Sequence, residues 1–351
     1  MTWDIALILG IDGLANGALY LLSGLGLVLI FSVTRVVFVP FGDIAAFAAL
    51  SLAAFETGRR PATIGLVLTL ALLAMLTEAA SLIRRGRPRD IPASVLAWGI
   101  LPALPCLAAW AIAGREVPAA LQVAVAVALV VPIGPLVARV ALQPIADASV
   151  LVLLIVALVL HFLLSGLGLL FFGPEGSRTQ ALVGGVVTLP GGFTVSGQVI
   201  LMVGAALVLA GLFYLVFEHT VTGKALRATA VNRVGARLVG IRPARTAVLA
   251  YSAASLLAGL VGVLVAPVMT MYYDSGFLIG LKAFVAAIIG GLVSYPLTAL
   301  GALAVGAAES FSSFWSGALK DVIVFSLLIP VLMLRSFLSA HGEEDAEEID
   351  Q

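Results

Sequence analysis

The chain has 351 residues, 62% hydrophobic and 11% charged, with a mean hydropathy of +1.16, whereas soluble domains run at about 45 to 50% apolar and about 25% charged. This composition excludes a soluble globular fold and implies an all-α, polytopic transmembrane helical bundle. Formal net charge is zero, so the position of each charge carries the information, and the single Cys106 rules out an intrachain disulfide or a cysteine-rich metal site.

A helical crossing of the hydrocarbon layer takes about 20 apolar residues, and about eleven segments meet that measure. They are 5–31, 36–55, 62–83, 91–113, 117–141, 150–171, 197–217, 246–267, 277–293, 297–315 and 320–338. Residues 1–338 therefore read as one membrane domain, followed by an acidic tail at 339–351 that is expected to be solvated and disordered. The first four residues lack the basic flank of a cleavable signal, so the first segment is expected to stay. Between Asp4 and Arg35 the only positive side chain is Arg35 itself, at the far end. The positive-inside rule then puts the N-terminus outside and the C-terminus in the cytoplasm. On that arrangement Arg35, the arginines of 84–89, Arg139, the basic loop 218–245 and Arg335 share the cytoplasmic side, and Arg59, Arg60, Arg115 and Arg178 lie outside.

In the first segment Gly13 and Gly17 sit four apart, the spacing that lets helices approach closely. Asp12 and Asn16 share a second face, where a carboxylate is either functional or hydrated near the outer interface. The second segment is interrupted by Pro40 and Gly42, which predicts a broken helix against protein or a water-filled cavity. Asp43, near the restart, fits either a helix cap or a conduit wall.

Residues 62–113 read as a helical hairpin around the basic turn 84–90, with Pro92, Pro102 and Pro105 predicting kinks in its second arm. His161 stands alone in an apolar helix and reads as a hydrogen-bonded structural residue. Past it, Gly191 and Gly192 lie between β-prone runs and predict a small hairpin that caps the bundle or meets a delivery protein.

The longest polar run, 217–245, carries Lys224, Arg227, Arg233, Arg237, Arg242 and Arg245 against Glu218 alone. Ala225, Leu226, Ala228, Ala230, Val234, Leu238 and Val239 recur at helical spacing, which predicts one short amphipathic helix closed by Gly240. Such a helix lies on headgroups, docks in a partner's groove, or is a basic loop with no partner. Further on, Lys282 and Asp321 fall at one depth and predict an ion pair. Glu309 lies deeper, and either lines a conduit or is held by Ser310, Ser312 or Ser313.

Several chemistries are missing. Around Gly223 and Lys224 the phosphate-loop pattern fails, because Glu218 and Ala225 stand where Gly and Ser or Thr belong, so no nucleotide site is expected in this chain. No His and Glu pairing at metal spacing, no catalytic pair and no basic patch with interleaved aromatics is present, which argues against a metal site, an enzyme and nucleic-acid binding.

The order Glu218, Thr220, Gly223, Ala225, Arg227, Ala228, Ala230, Asn232, Ala236, Gly240, Ile241 resembles the cytoplasmic loop of permease subunits in branched-chain amino-acid (LIV-type) ABC importers. A second block, 280–291 with Ser294, Glu309, Lys320, Asp321 and Phe325, is similar to the same family. In the broken segment Phe38, Phe41 and Asp43 stand where the family has Asn, His and Glu, and residues 62–113 read as an insertion. The resemblance implies an ABC importer permease fold in a prokaryotic cytoplasmic membrane, with no cofactor of its own. It also implies a second permease subunit, two cytoplasmic ATPase subunits that hold ATP and Mg, and an extracytoplasmic solute-binding protein, all in contact with membrane lipid. Gly223, Lys224, Arg227, Asn232 and Gly240 would couple to the ATPase, and Asp12, Asn16, Phe38, Phe41, Asp43 and Glu309 would border the path. The competing reading is an ion- or proton-coupled secondary transporter, with Asp12, Asp43 and Glu309 as proton carriers.

Overall fold

The structure is a computed structural model and describes residues 3–188 and 194–333. The acidic tail, Arg335, Gly191 and Gly192 fall outside the described residues. The chain folds as α1 (Trp3–Thr34), α2 (Phe41–Glu56), α3 (Thr63–Arg84), α4 (Ile91–Val95), α5 (Leu101–Ile112), α6 (Ala119–Val130), α7 (Ile133–Val137) and α8 (Val150–Phe172). A two-stranded antiparallel hairpin follows, β1 (Val186–Thr188) with β2 (Thr194–Ser196), in which Val187 opposes Val195. Then come α9 (Gly197–His219), α10 (Val221–Val231), α11 (Arg233–Leu238), α12 (Pro243–Val265), α13 (Gly276–Ile289), α14 (Tyr295–Trp315) and α15 (Lys320–Ser326). Starts follow local chemistry. Ser149, Ser196 and Ser294 each accept a backbone N–H at the head of α8, α9 and α14, and Pro243 opens α12 where its missing donor costs nothing.

Among the described residues eight helical runs are long and apolar enough to cross a membrane; α4 with α5, and α6 with α7, each count as one. The other apolar segments are α2, α13 and α15. Helices of 16 and 14 residues, α2 and α13 reach only about 24 and 21 Å. Hydropathy counted the non-helical residues 36–40 as part of the second segment, but Arg35 turns the chain at φ 61 and the helix starts only after Pro40, where the break was expected. The same reasoning over-ran the end of α13, where Gly291 (φ 72) and Leu292 (φ 62) turn the chain toward α14.

At the centre α1 packs on α9, α12, α13 and α14. Its Gly13 and Gly17 face α14 so closely that an added Cβ would lie 3.0 Å from the Cα of Ala307 or Leu303. Buried almost throughout, α2 is wedged against α12 and α13. By contrast α3, α5, α8 and α9 turn large apolar side chains outward, among them Leu76, Leu107, Phe162 and Val208, as a lipid-facing perimeter does.

The hairpin of residues 62–113 sits on that perimeter. Its second arm is interrupted by a π-turn at Leu96–Ile100, just before Pro102 and Pro105. The contacts sort the ends of the bundle. Arg139 pairs with Glu78, and Arg233 donates to the Ala146 carbonyl at 3.5 Å, so the hairpin, the α7–α8 turn and the basic loop share one end. At the opposite end Glu56 accepts from Gln180 N at 3.0 Å, Arg178 donates to the Pro267 carbonyl at 2.9 Å, and Arg60 lies over Trp110.

Candidate functional site

The basic loop is tied down from both sides. Thr220 caps α10 by accepting from Gly223 N at 3.1 Å, and a Cβ at Gly223 would overlap the carbonyls of Val216 and Phe217, so only glycine allows this turn out of α9. Arg227 pairs with the Glu218 carboxylate and donates to its carbonyl at 3.2 Å. This side chain therefore fastens α10 to α9. Asn232 is extended (φ −150, ψ 104), and its side chain accepts from Val234 N at 3.0 Å and Gly235 N at 2.9 Å. The single helix expected here is thus two, because Asn232 caps the second rather than continuing the first. Gly240 closes α11 at φ 85, with Ile241 N bonded to the Ala236 carbonyl and Gly240 N to that of Arg237.

Inward, Leu226 joins Leu29, Val33, Phe217 and Ala250 in a small core. Outward, Val221, Val231, Val234, Leu238 and Val239 are 66 to 85% exposed, and Lys224, Arg237, Arg242 and Arg245 are exposed around them. The expected stripe therefore divides between the bundle and the solvent. Val221 and Val231, which helical spacing had not singled out, belong to the outer part.

A second cluster surrounds the broken segment. Gly42 at the head of α2 and Gly276 at the head of α13 touch back to back, and a Cβ on either would overlap the other's carbonyl. Asp43 is fully buried, and both carboxylate oxygens lie 2.9 Å from Nδ1 of His161, whose ring stacks on Phe277 at 4.4 Å. Its carboxylate is thus paired across 118 positions and does not cap α2. Phe38 packs edge-on against Tyr251 at 5.1 Å and, with Leu154, Leu158, Phe277 and Phe284, lines an apolar cavity of about 190 Å³. Phe41 instead presses on Gly26.

The third cluster is ionic. Lys282 bonds to Glu309, and its Nζ lies 2.8 Å from Asp321 Oδ1, an ion pair by distance without hydrogen-bond alignment. Tyr20 donates to the other oxygen of Glu309. The serines expected to hold that carboxylate do not: Ser312 donates to the Glu309 carbonyl, Ser313 to that of Ser310, and Ser310 to Leu9 O and Asp12. Ser312 and Ser313 bond carbonyls of their own helix, Ser310 is spent on α1, and the Glu309 side chain reaches across to α1 and α13. Asp12 is exposed and Asn16 half-buried. Among the described residues no three His, Cys, Asp or Glu side chains converge on a metal-sized point.

The family described as "Branched-chain amino acid transport system / permease component" matches residues 10–332. The high-affinity branched-chain amino acid transport system permease protein LivH of Escherichia coli (strain K12) is 34% identical over 209 residues, covering 56% of this chain and 66% of that protein; LivH of Salmonella typhimurium gives the same figures. BraD of Pseudomonas aeruginosa, with the same descriptive name, is 32% identical over 214 residues at the same coverage. The chain thus spans about two thirds (66%) of the length of the curated relatives it matches. No solved structure gave a significant match. With 323 of its residues in one family match, the chain belongs to the branched-chain amino acid transport system permease component family.

Proposed function

We propose that this chain is the membrane-spanning subunit of an ATP-driven importer for branched-chain amino acids or related small polar solutes, passing them from an extracytoplasmic binding protein to the cytoplasm. It works beside a second permease subunit and two ATPase subunits, which carry the ATP and Mg. The basic end of the bundle faces the cytoplasm, the N-terminus lies outside and the C-terminus inside.

The observation that carries this reading is the exposed apolar patch on α10 and α11, rimmed by lysine and arginine. Contiguous apolar surface with a charged rim is what a docking partner covers. Beneath the patch the packing is suited to transmit force. Leu226 touches the small core that contains Ala250 of α12, the next residue, Tyr251, holds Phe38, and one face of α12 presses Gly262 onto Ala45 of α2. A push on the loop thus has a continuous packed route to the broken segment, whose helix heads and apolar cavity border the path. Closure of the ATPases tilts α12, and Phe38 opens or shuts the cavity. Lys224 and Asn232 act at the docking face, the first by charge and the second by holding α11 in place.

The test is uptake into vesicles carrying the complete complex. ATP-dependent accumulation that needs the binding protein supports the reading, and its loss in Leu238→Asp, with the folded complex retained, ties it to the patch. A second reading, coupling to protons, draws on the buried Asp43 and His161 pair. It predicts uptake that collapses with an uncoupler while ATP is held constant.

A further inference from the structure

The hairpin at 62–113 takes no part in the route just described, yet it lines a sizeable cavity of its own. Between its second arm, α6 with α7, and α12 lies an open groove of about 570 Å³, within the size range of ligand sites. Its walls are apolar, and four of the lining residues are prolines, Pro102, Pro105, Pro132 and Pro135, whose short rings leave space that leucine-sized side chains would fill. The groove runs along the helix axes, from Leu256 to Val248 on α12, about 12 Å at the rise of an α-helix. That is the direction in which a lipid chain lies.

At the basic end of the bundle the groove meets Trp98, and the Arg139 guanidinium covers that indole at 5.6 Å. On the other side of Arg139 is a polar pocket of about 180 Å³ lined by Thr77, Glu78, Ser81, Arg85 and Gln143. Glu78 is the only carboxylate in it, and it is already paired with Arg139. The amide nitrogen of Gln143 is buried there with no hydrogen-bond partner. Among the described residues Arg84, Arg85, Arg87 and Arg89 have no ion pair, so the pocket and its rim carry unneutralised positive charge and a spare donor. An apolar channel leading to a cationic, donor-rich pocket has the polarity profile of one molecule.

We infer that this hairpin holds an anionic phospholipid, one acyl chain in the groove beside Trp98 and its phosphate in the pocket of Arg85, Arg139 and Gln143. The inference does not rest on the transport reading. Basic pockets between helices recognise acidic headgroups by this chemistry.

Trp98 reports on the site directly. In a protein whose Trp3, Trp110 and Trp315 are changed to Phe, reconstituted in vesicles, quenching by brominated phosphatidylglycerol is compared with brominated phosphatidylcholine at equal mole fraction. The expected result is an excess of about fivefold in apparent affinity for the acidic lipid, since a headgroup contact to an arginine is worth about that factor. The excess shrinks as salt rises and disappears in Arg85→Gln. Unbrominated phosphatidylglycerol competes it away in the parent protein, which keeps the test informative should the Arg85 variant fold poorly. Equal quenching by the two lipids at every mole fraction means ordinary annular lipid and overturns the inference, as does quenching by neither.

Discussion

The centre of the bundle and the hairpin of residues 62–113 solve opposite packing problems. Around α1, α2, α13 and α14 the backbones approach until only glycine fits, at Gly42, Gly276 and Gly306, and the buried charges Asp43, Lys282 and Glu309 are closed into a pair and a triad. In the hairpin, prolines and a π-turn hold helices apart, arginines stay unpaired, and a groove remains. In a solvent as apolar as the core, hydrophobic burial does not favour one arrangement over the other, so close van der Waals contact and polar pairing decide which helices belong together. A segment without those contacts stays on the perimeter, where lipid completes its packing.

That contrast can be broken by substitution. Gly276→Val drives a side chain into the Gly42 backbone, which cannot move away; little folded protein is expected in detergent, as read by size-exclusion recovery and thermal unfolding. Lys282→Met leaves Glu309 and Asp321 facing each other without a cation and is expected to cost about 3 kcal/mol or more. Should its melting temperature match that of the parent, the closed ionic cluster is not what holds α13 to α14 and α15.

Leu238→Asp, on a side chain that is 84% exposed, should leave the melting temperature unchanged while lowering ATP-driven uptake about tenfold or more, the scale of a lost interface anchor. The smallest effect belongs to the hairpin. Gly99→Ala meets the Met75 sulfur, at 3.3 Å and at the mobile end of its side chain, and Val95 at an ordinary contact of 4.0 Å, so stability is expected to shift by less than about 1 kcal/mol. A Gly99 variant that unfolds as readily as Gly276→Val would erase the distinction between centre and periphery.

Much of this was legible along the chain because its causes are local. Apolar length marked every crossing segment, Gly240 marked the end of α11 through the left-handed conformation a helix end asks for, and Gly13 and Gly17 marked the face that α14 covers. The arginines of 84–89, Arg139 and the loop 218–245 announced a shared end through charge alone.

Partners could not be read that way. Nothing near Asp43 points to His161, 118 positions on, and nothing near Glu309 points to Tyr20, 289 positions back. Periodicity says which face of a helix is apolar; it does not say which other helix will carry the one donor that reaches a buried carboxylate. Pro40 and Gly42 announced the break before α2, but the early end of α13 was hidden for a related reason, since hydropathy sums side chains and takes no account of whether the backbone between them is coiled or extended. The amino-acid order by itself determined an all-helical membrane domain, its basic end and its glycine stops, because those follow from transfer energies and backbone sterics acting over a few residues. Only the tertiary structure decided which charges neutralise one another, where two helix heads meet, and where space is left, because each of those depends on distances between elements that no local rule sets.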